Sequence, residues 1–156
     1  MAYVKLAELY ARISPKLAHR PGSTLPTRAH AWILSRSRGR IGRTLFGSPL
    51  LVLRTVGRKS GQARESPLMF LEHGDGYVVV AANAASTRPP AWWLNLQADA
   101  DCEALIGGGW RRLRGREATS TEAEGLWPRL DALYVGFEHY REVATREFPV
   151  VMLEPR

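Results

Sequence analysis

Between Leu50 and Arg64 the chain reads LLVLRTVGRKSGQAR, an apolar strand that runs into a turn carrying two glycines, a serine and three cations. A strand that ends this way doubles back as a hairpin. Glycine at 57 and at 61 is expected to let the backbone take positive φ and bring its N–H groups close to a ligand. Arg58, Lys59 and Arg64 add charge, and Ser60 adds a hydroxyl. These are the groups that hold a phosphate or a carboxylate. The alternative reading is a hairpin whose polar tip is merely solvated.

The remaining punctuation is also of the hairpin kind. Pro49–Val56 is expected to pair with Glu65–Glu72, and His73-Gly74-Asp75-Gly76 turns the chain into a third strand, Tyr77–Ala82. Cys102–Ile106, a run of three glycines and Trp110–Ala118 make a second hairpin, and Val150–Leu153 closes the set. Helices fall between and around these strands. Residues 3–14 place Tyr3, Leu6, Tyr10 and Ile13 on one apolar face, with Pro15 as the expected stop. The default partner of that face is the barrel itself, with a second subunit or a membrane surface as alternatives. A short helix over Arg28–Arg38 and a basic loop over Ser35–Arg43 follow. Pro89-Pro90 opens a helix through AWWLNLQAD. Thr121 and Glu124 have capping-box spacing at the start of another, which Pro128 is expected to kink or divide, and Glu138–Arg146 is the last. About six strands joined by hairpins, without β-α-β alternation, point to an α+β chain that is mainly β: a small antiparallel sheet curled into a barrel with helices outside. Residues 1–48 read as a helical and basic extension and 49–156 as the barrel, together one domain.

The formal net charge of +7 calls for an anionic partner without choosing it. A lone cysteine, Cys102, excludes an internal disulfide and reads as a core-facing strand residue. His19, His30, His73 and His139 are scattered, so no metal centre is expected. No apolar run has the length of a membrane span and no signal peptide is visible, so the expected location is the cytoplasm, with peripheral membrane contact through the first helix as an alternative. The chain has no nucleophile elbow, zinc-protease motif, phosphate-binding P-loop or dinucleotide fingerprint. A chain without an evident acid, base, nucleophile or metal takes its reactivity from an organic cofactor. Arg111, Arg112, Arg114 and Arg116 offer the rival reading of a basic barrel that binds nucleic acid. Alternate residues of a strand point to opposite faces, so exposed arginines on an outer strand are the simpler account, and no nucleic acid is expected.

In order, TVGRKSGQAR, PLMFLEHGDGYVVVAAN, PAWWLNLQAD, REAT…LWPRL and FPVVMLEP resemble the deazaflavin-dependent nitroreductase family, from about Leu50 to Pro155. The resemblance implies a split β-barrel that binds coenzyme F420, and a hydride passed from reduced deazaflavin to a small hydrophobic electrophile such as a quinone, an enone or a nitro compound. Related split barrels bind FMN, which is the alternative cofactor. By the resemblance, Arg58, Lys59, Ser60 and Arg64 hold the phosphate and acidic tail. Glu65, Ser66, Pro67, Leu68 and Met69 line the cofactor along the next strand, and Val80, Ala81, Ala82 and Asn83 lie beside the ring. Ala91, Trp92, Trp93, Leu94 and Asn95 are further cofactor contacts, while Tyr134, Phe137 and Tyr140 stand over the substrate. Tyr134 is the candidate proton donor, solvent the alternative. The chain departs from the pattern at Ala82, where some relatives carry a serine, and at Ala84-Ala85, where Gly-Gly is frequent. Met69 and Phe137 stand where a tyrosine occurs in some relatives. A homodimer is a further expectation.

Overall fold

The computed structural model describes residues 2–17, 36–37 and 44–156. The loop with Pro21 and Pro26, and all of the expected helix 28–38 and basic loop 35–43 except residues 36–37, lie outside them, as do His19 and His30.

Helix α1 is Ala2–Leu17, followed by β1 (Thr44–Leu45), β2 (Ser48–Val56), β3 (Ala63–Met69), β4 (Leu71–His73) and β5 (Gly76–Val80). Then come α2 (Ala91–Ala98), β6 (Asp101–Ile106), β7 (Gly109–Glu117), α3 (Ser120–Leu133), α4 (Gly136–Val143) and β8 (Val150–Pro155). The strands form one sheet in the order β1-β2-β6-β7-β8-β5-β4, with β3 on the other edge of β2. Every pairing is antiparallel.

The single stretch Glu65–Glu72 is in fact two strands. β3 runs along β2, with Val56 opposite Ala63 and Leu50 opposite Met69, whereas β4 pairs with β5 at the far end of the order. Only Phe70 separates them. Both ends of a strand path that meet within one residue require the sheet to be curled round on itself, leaving a seam between β3 and the β4–β5 hairpin.

Curling explains why YVVV and VVML carry no polar alternation: both faces of β5 and β8 are covered. Tyr77, Val79, Val151 and Leu153 point into the barrel with Leu51, Leu53, Trp92, Trp93, Leu96, Ala104 and Leu113. Val78, Val80, Val150 and Met152 point outward under Leu126, Leu130, Tyr134, Phe137 and Tyr140 of the C-terminal helices. Cys102 lies in the barrel core, and burial pushes its thiol up to about 12, reinforced by the nearby carboxylates of Asp101, Asp99 and Glu103. Iodoacetamide at about pH 8 is expected to leave native Cys102 unmodified and to alkylate it after denaturation. Rapid native alkylation would contradict this core.

Four expectations need correction. First, α1 continues through Pro15 to Leu17. It packs through Ala7 and Ala11, whereas Leu6, Tyr10 and Ile13 stay 53%, 45% and 42% exposed with Leu9 beside them. Small residues bring the helix close to α4 and to the turn at 83–85, while on the larger apolar face Tyr10 meets Phe46 with ring centroids 5.1 Å apart and Leu6, Leu9 and Ile13 stay largely exposed. Second, the capping box is Thr119 with Glu122: Thr119 Oγ1 accepts the Glu122 N–H, and the Glu122 carboxylate accepts the Thr119 N–H at 2.7 Å. Arg116 decides between the two overlapping boxes, because its guanidinium grips both Glu122 oxygens at 2.8 Å and reaches Glu154 as well. Hydrogen bonds from Arg116 and from the cap hold the Glu122 carboxyl down at about 2. Its contribution to stability is therefore present above the ordinary carboxylate range and lost as the pH falls through that range toward 2. Third, of the two outcomes expected at Pro128, division does not occur: α3 runs through it as one helix. Fourth, α4 ends at Val143, three residues before Arg146.

Candidate functional site

The turn after β2 is closed by its own backbone. Gly57 N–H donates to Gln62 O at 2.8 Å, while Ser60 and Gly61 N–H both return to Gly57 O. Gly61 takes φ +66, the left-handed region expected of it. Gly57 does not, and its reason for being glycine is space: a Cβ there would lie 2.8 Å from Ser60 Oγ and 3.1 Å from Gln62 O. Ser60 Oγ accepts from the Gln62 N–H and from Arg64 Nη2 at 3.2 Å. The turn therefore presents Arg58, Lys59, Ser60 and Arg64 at an exposed tip.

Its base is braced from α2. Asn95, 4% exposed, accepts the Arg58 N–H at 3.2 Å and Arg58 Nη1 at 3.3 Å through Oδ1, and donates through Nδ2 to Thr55 Oγ1 at 3.1 Å. Thr55 is itself 2% exposed. Thr55 escaped sequence reasoning, since a threonine on a strand is unremarkable until its partner is known.

Several arginines are already spent on carboxylates: Arg54 with Glu65 and Glu103, Arg116 with Glu122 and Glu154, Arg141 with Asp131. Among the described residues Arg58, Lys59 and Arg64 have no ion pair. Of the β7 arginines, Arg114 is paired with Asp101, so with Arg116 two of the four are already engaged by carboxylates.

The other candidates divide between two places. Leu68, Ala81, Trp92 and Trp93 belong to the barrel-side cluster, with the two indoles 6% and 5% exposed. Met69, Val80 and Ala82 join the outer cluster with Tyr134, Phe137 and Tyr140. Ser66 and Pro67 are half-buried along β3, Leu94 is half-buried on α2 and Ala91 is exposed at its start. Glu65 is committed to Arg54 at 2.8 Å, so its carboxylate faces the sheet surface. Asn83 spends its amide on Arg88 O at 2.9 Å.

Asn83, Ala84 and Ala85 take φ +49, +49 and +57, a left-handed turn directly after β5. Asparagine tolerates this region; alanine pays for its Cβ there. Ala84→Gly is therefore expected to raise stability by about 0.5–1 kcal/mol, the relieved strain outweighing the freedom that glycine gains in the unfolded chain. Denaturant unfolding reads this directly, and a destabilised variant would contradict it.

The aromatic trio is close-packed. The Tyr134 ring stands 5.2 Å from Phe137 and 5.9 Å from Tyr140, edge on, and the two tyrosine hydroxyls are 3.4 Å apart. Burial, then the neighbouring Tyr140, raises the Tyr134 phenol well above its ordinary value, so it stays protonated at neutral pH.

A family model described as F420H(2)-dependent quinone reductase matches residues 26–155. A Mycobacterium tuberculosis protein named, provisionally, as an F420H(2)-dependent quinone reductase is 33% identical over 108 residues, which is 69% of this chain and 91% of the relative. A solved structure titled F420-H2 dependent reductase superposes with a TM-score of 0.63 at 28% identity, over 68% of this chain and 94% of the other. A second, described as a domain-swapped dimer, has a TM-score of 0.64 at 26% identity over 79% and 97% of the two chains.

Proposed function

The chain belongs to the F420H(2)-dependent quinone reductase family, and we propose that Arg58, Lys59, Ser60 and Arg64 seat the phosphate and glutamate tail of coenzyme F420 in it. The protein is an F420-dependent oxidoreductase of the split-barrel fold. One observation carries the site assignment: three exposed cations without carboxylate partners among the described residues, on a turn held in shape by a buried asparagine. Such a donor set fits a coenzyme that ends in phosphate and carboxylates, because charge-assisted hydrogen bonds to those oxygens need donors that are not already spent.

When bound, the reduced deazaflavin supplies a hydride. The protein's share is to hold and orient. On this reading Val80, Ala81 and Ala82, all small or β-branched and buried, let a flat ring approach the end of β5. Met69 and the trio Tyr134, Phe137 and Tyr140 supply an apolar wall suited to a quinone, an enone or a nitro compound, and keep water from the reacting carbon. Tyr134 donates the proton that accompanies the hydride, with Tyr140 Oη 3.4 Å from its hydroxyl. Tyr134→Phe is then expected to lower kcat about 100-fold with F420 affinity unchanged. Since the phenol's pKa is raised, the acid form persists and Tyr134 gives no inflection in the pH profile between about pH 6 and 9. A kcat within about twofold of wild type would assign the proton to solvent instead.

The test of the reading is anaerobic mixing of reduced coenzyme F420, protein and a naphthoquinone, followed by the absorbance of oxidised deazaflavin. Catalysed oxidation supports it, and none above the protein-free rate overturns it. The exposed face of Leu6, Leu9, Tyr10 and Ile13 offers itself to a second copy of the chain, supported by the domain-swapped relative. Among the described residues no helix is long and apolar enough to cross a membrane. We place the protein in the cytoplasm; sedimentation tests the dimer, and liposome flotation the alternative of peripheral membrane contact.

A further inference from the structure

Arg146 lies in the connection between α4 and β8, outside every element named in the site. Its Nε donates to Ser86 O at 2.9 Å, and its Nη2 to Ala81 O at 3.1 Å and Ala82 O at 2.8 Å. Its Nη1 donates to Glu147 O at 3.0 Å, and the guanidinium sits 4.9 Å from the centre of the Phe148 ring. The cation is half-buried and, among the described residues, meets carbonyl dipoles and a ring face, whereas the half-buried Arg54 and Arg116 meet carboxylates. Burial lowers its pKa, a cost that no carboxylate offsets.

Three of the carbonyls belong to a single short segment, 81–86. That segment contains the left-handed residues Asn83, Ala84 and Ala85, two of them alanines in a conformation they resist. Strain of this kind persists only where the surroundings over-determine it. The segment's own bonds, Ala85 N–H to Ala82 O and Ser86 N–H to Asn83 O, close the turn, and Ala81 N–H donates to Pro149 O at 2.9 Å ahead of it. The Arg146 guanidinium adds a tie on the far flank, at Ser86 O, and so reaches both flanks of the left-handed turn at once.

We propose that Arg146 is a positioning residue for hydride transfer: by bracketing Ala81, Ala82 and Ser86 it holds the left-handed turn in the shape that meets the coenzyme ring. This rests on the assignment of Val80–Asn83 to the ring side. The planar five-donor fork is what the task needs, since one lysine ammonium cannot span both flanks. Loss of the fork loosens the ring-side backbone and leaves the tail-holding turn at 57–64 untouched.

The experiment compares wild type, Arg146→Lys and Arg146→Met. Amide hydrogen exchange of residues 81–88 in the coenzyme-free protein is expected to accelerate about tenfold or more in both variants, with β6 and β7 unchanged. Turnover of reduced coenzyme F420 with a naphthoquinone is expected to lose about tenfold in kcat, while the dissociation constant of oxidised F420 stays within about threefold. Wild-type exchange in both variants, faster exchange at unchanged kcat, or loss of protection spread over the whole sheet would each overturn the inference. So would lost affinity at unchanged kcat. If wild-type protein fails to bind F420, the functional reading falls on its own, while hydrogen exchange still reports whether Arg146 holds the turn.

Discussion

Replacing Arg58 and Lys59 together by alanine raises the dissociation constant of oxidised coenzyme F420 at least about tenfold, about 1.4 kcal/mol. The figure is modest for two lost cations because both are exposed and screened by salt. The turn itself survives the change. Gly57, Ser60, Gly61 and Gln62 close it through backbone atoms, and Asn95 Oδ1 keeps the Arg58 N–H, which alanine also possesses. Melting temperature should therefore stay close to wild type while affinity falls. Salt supplies a second check, since wild-type affinity should weaken with ionic strength more steeply than that of the double variant. Unchanged binding in the double variant would reject the tail-holding role of this turn.

Asn95→Leu is expected to cost about 3 kcal/mol of stability, a fall of about 6–12 °C in Tm. Asn95 is buried and its amide serves two clients on another element: the Arg58 N–H and the Thr55 hydroxyl. Leucine has nearly the same bulk and satisfies neither, so buried polar groups lose partners with no gain in packing. The same change frees the base of the turn, and coenzyme affinity should fall with it. Adding Thr55→Val should recover about 1 kcal/mol, because removing both members of a buried pair costs less than removing one. A variant with wild-type stability and weakened binding would instead make Asn95 a direct coenzyme contact.

Asn95 also marks where sequence reading stops. PAWWLNL showed that an amide sits near a helix start beside two indoles, and the resemblance made it a cofactor contact. That its partners lie on the turn and on β2, thirty-seven and forty residues away, is a tertiary fact. Features governed by local chemistry were legible: the hairpin at 57–64, the glycine turns, the strand-bound Cys102 and the antiparallel class all follow from neighbours in sequence. Features decided by competition were not. T-S-T-E-A-E contains two capping boxes in overlapping register, and only Arg116 on β7 breaks the tie. The β3–β4 stretch reads as one strand because nothing in it says that Phe70 is where the barrel's two edges meet. The apolar face of α1 gave the right element and only part of the contact: Tyr10 meets Phe46, while Ala7 and Ala11 allow the closest approach. Arg146 was invisible for the simplest reason: its partners on the turn are carbonyls sixty or more residues away, and carbonyls have no sequence signature.

The central claim, that a cationic turn beside a curled sheet receives the anionic tail of a deazaflavin, is tested most directly by titrating the wild-type protein with oxidised coenzyme F420 and, in parallel, with FMN. The account predicts saturable quenching or shift of deazaflavin fluorescence with a dissociation constant on the order of micromolar, and FMN bound at least about tenfold more weakly. Tighter binding of FMN than of F420, or no binding of F420 by the folded protein, would contradict it.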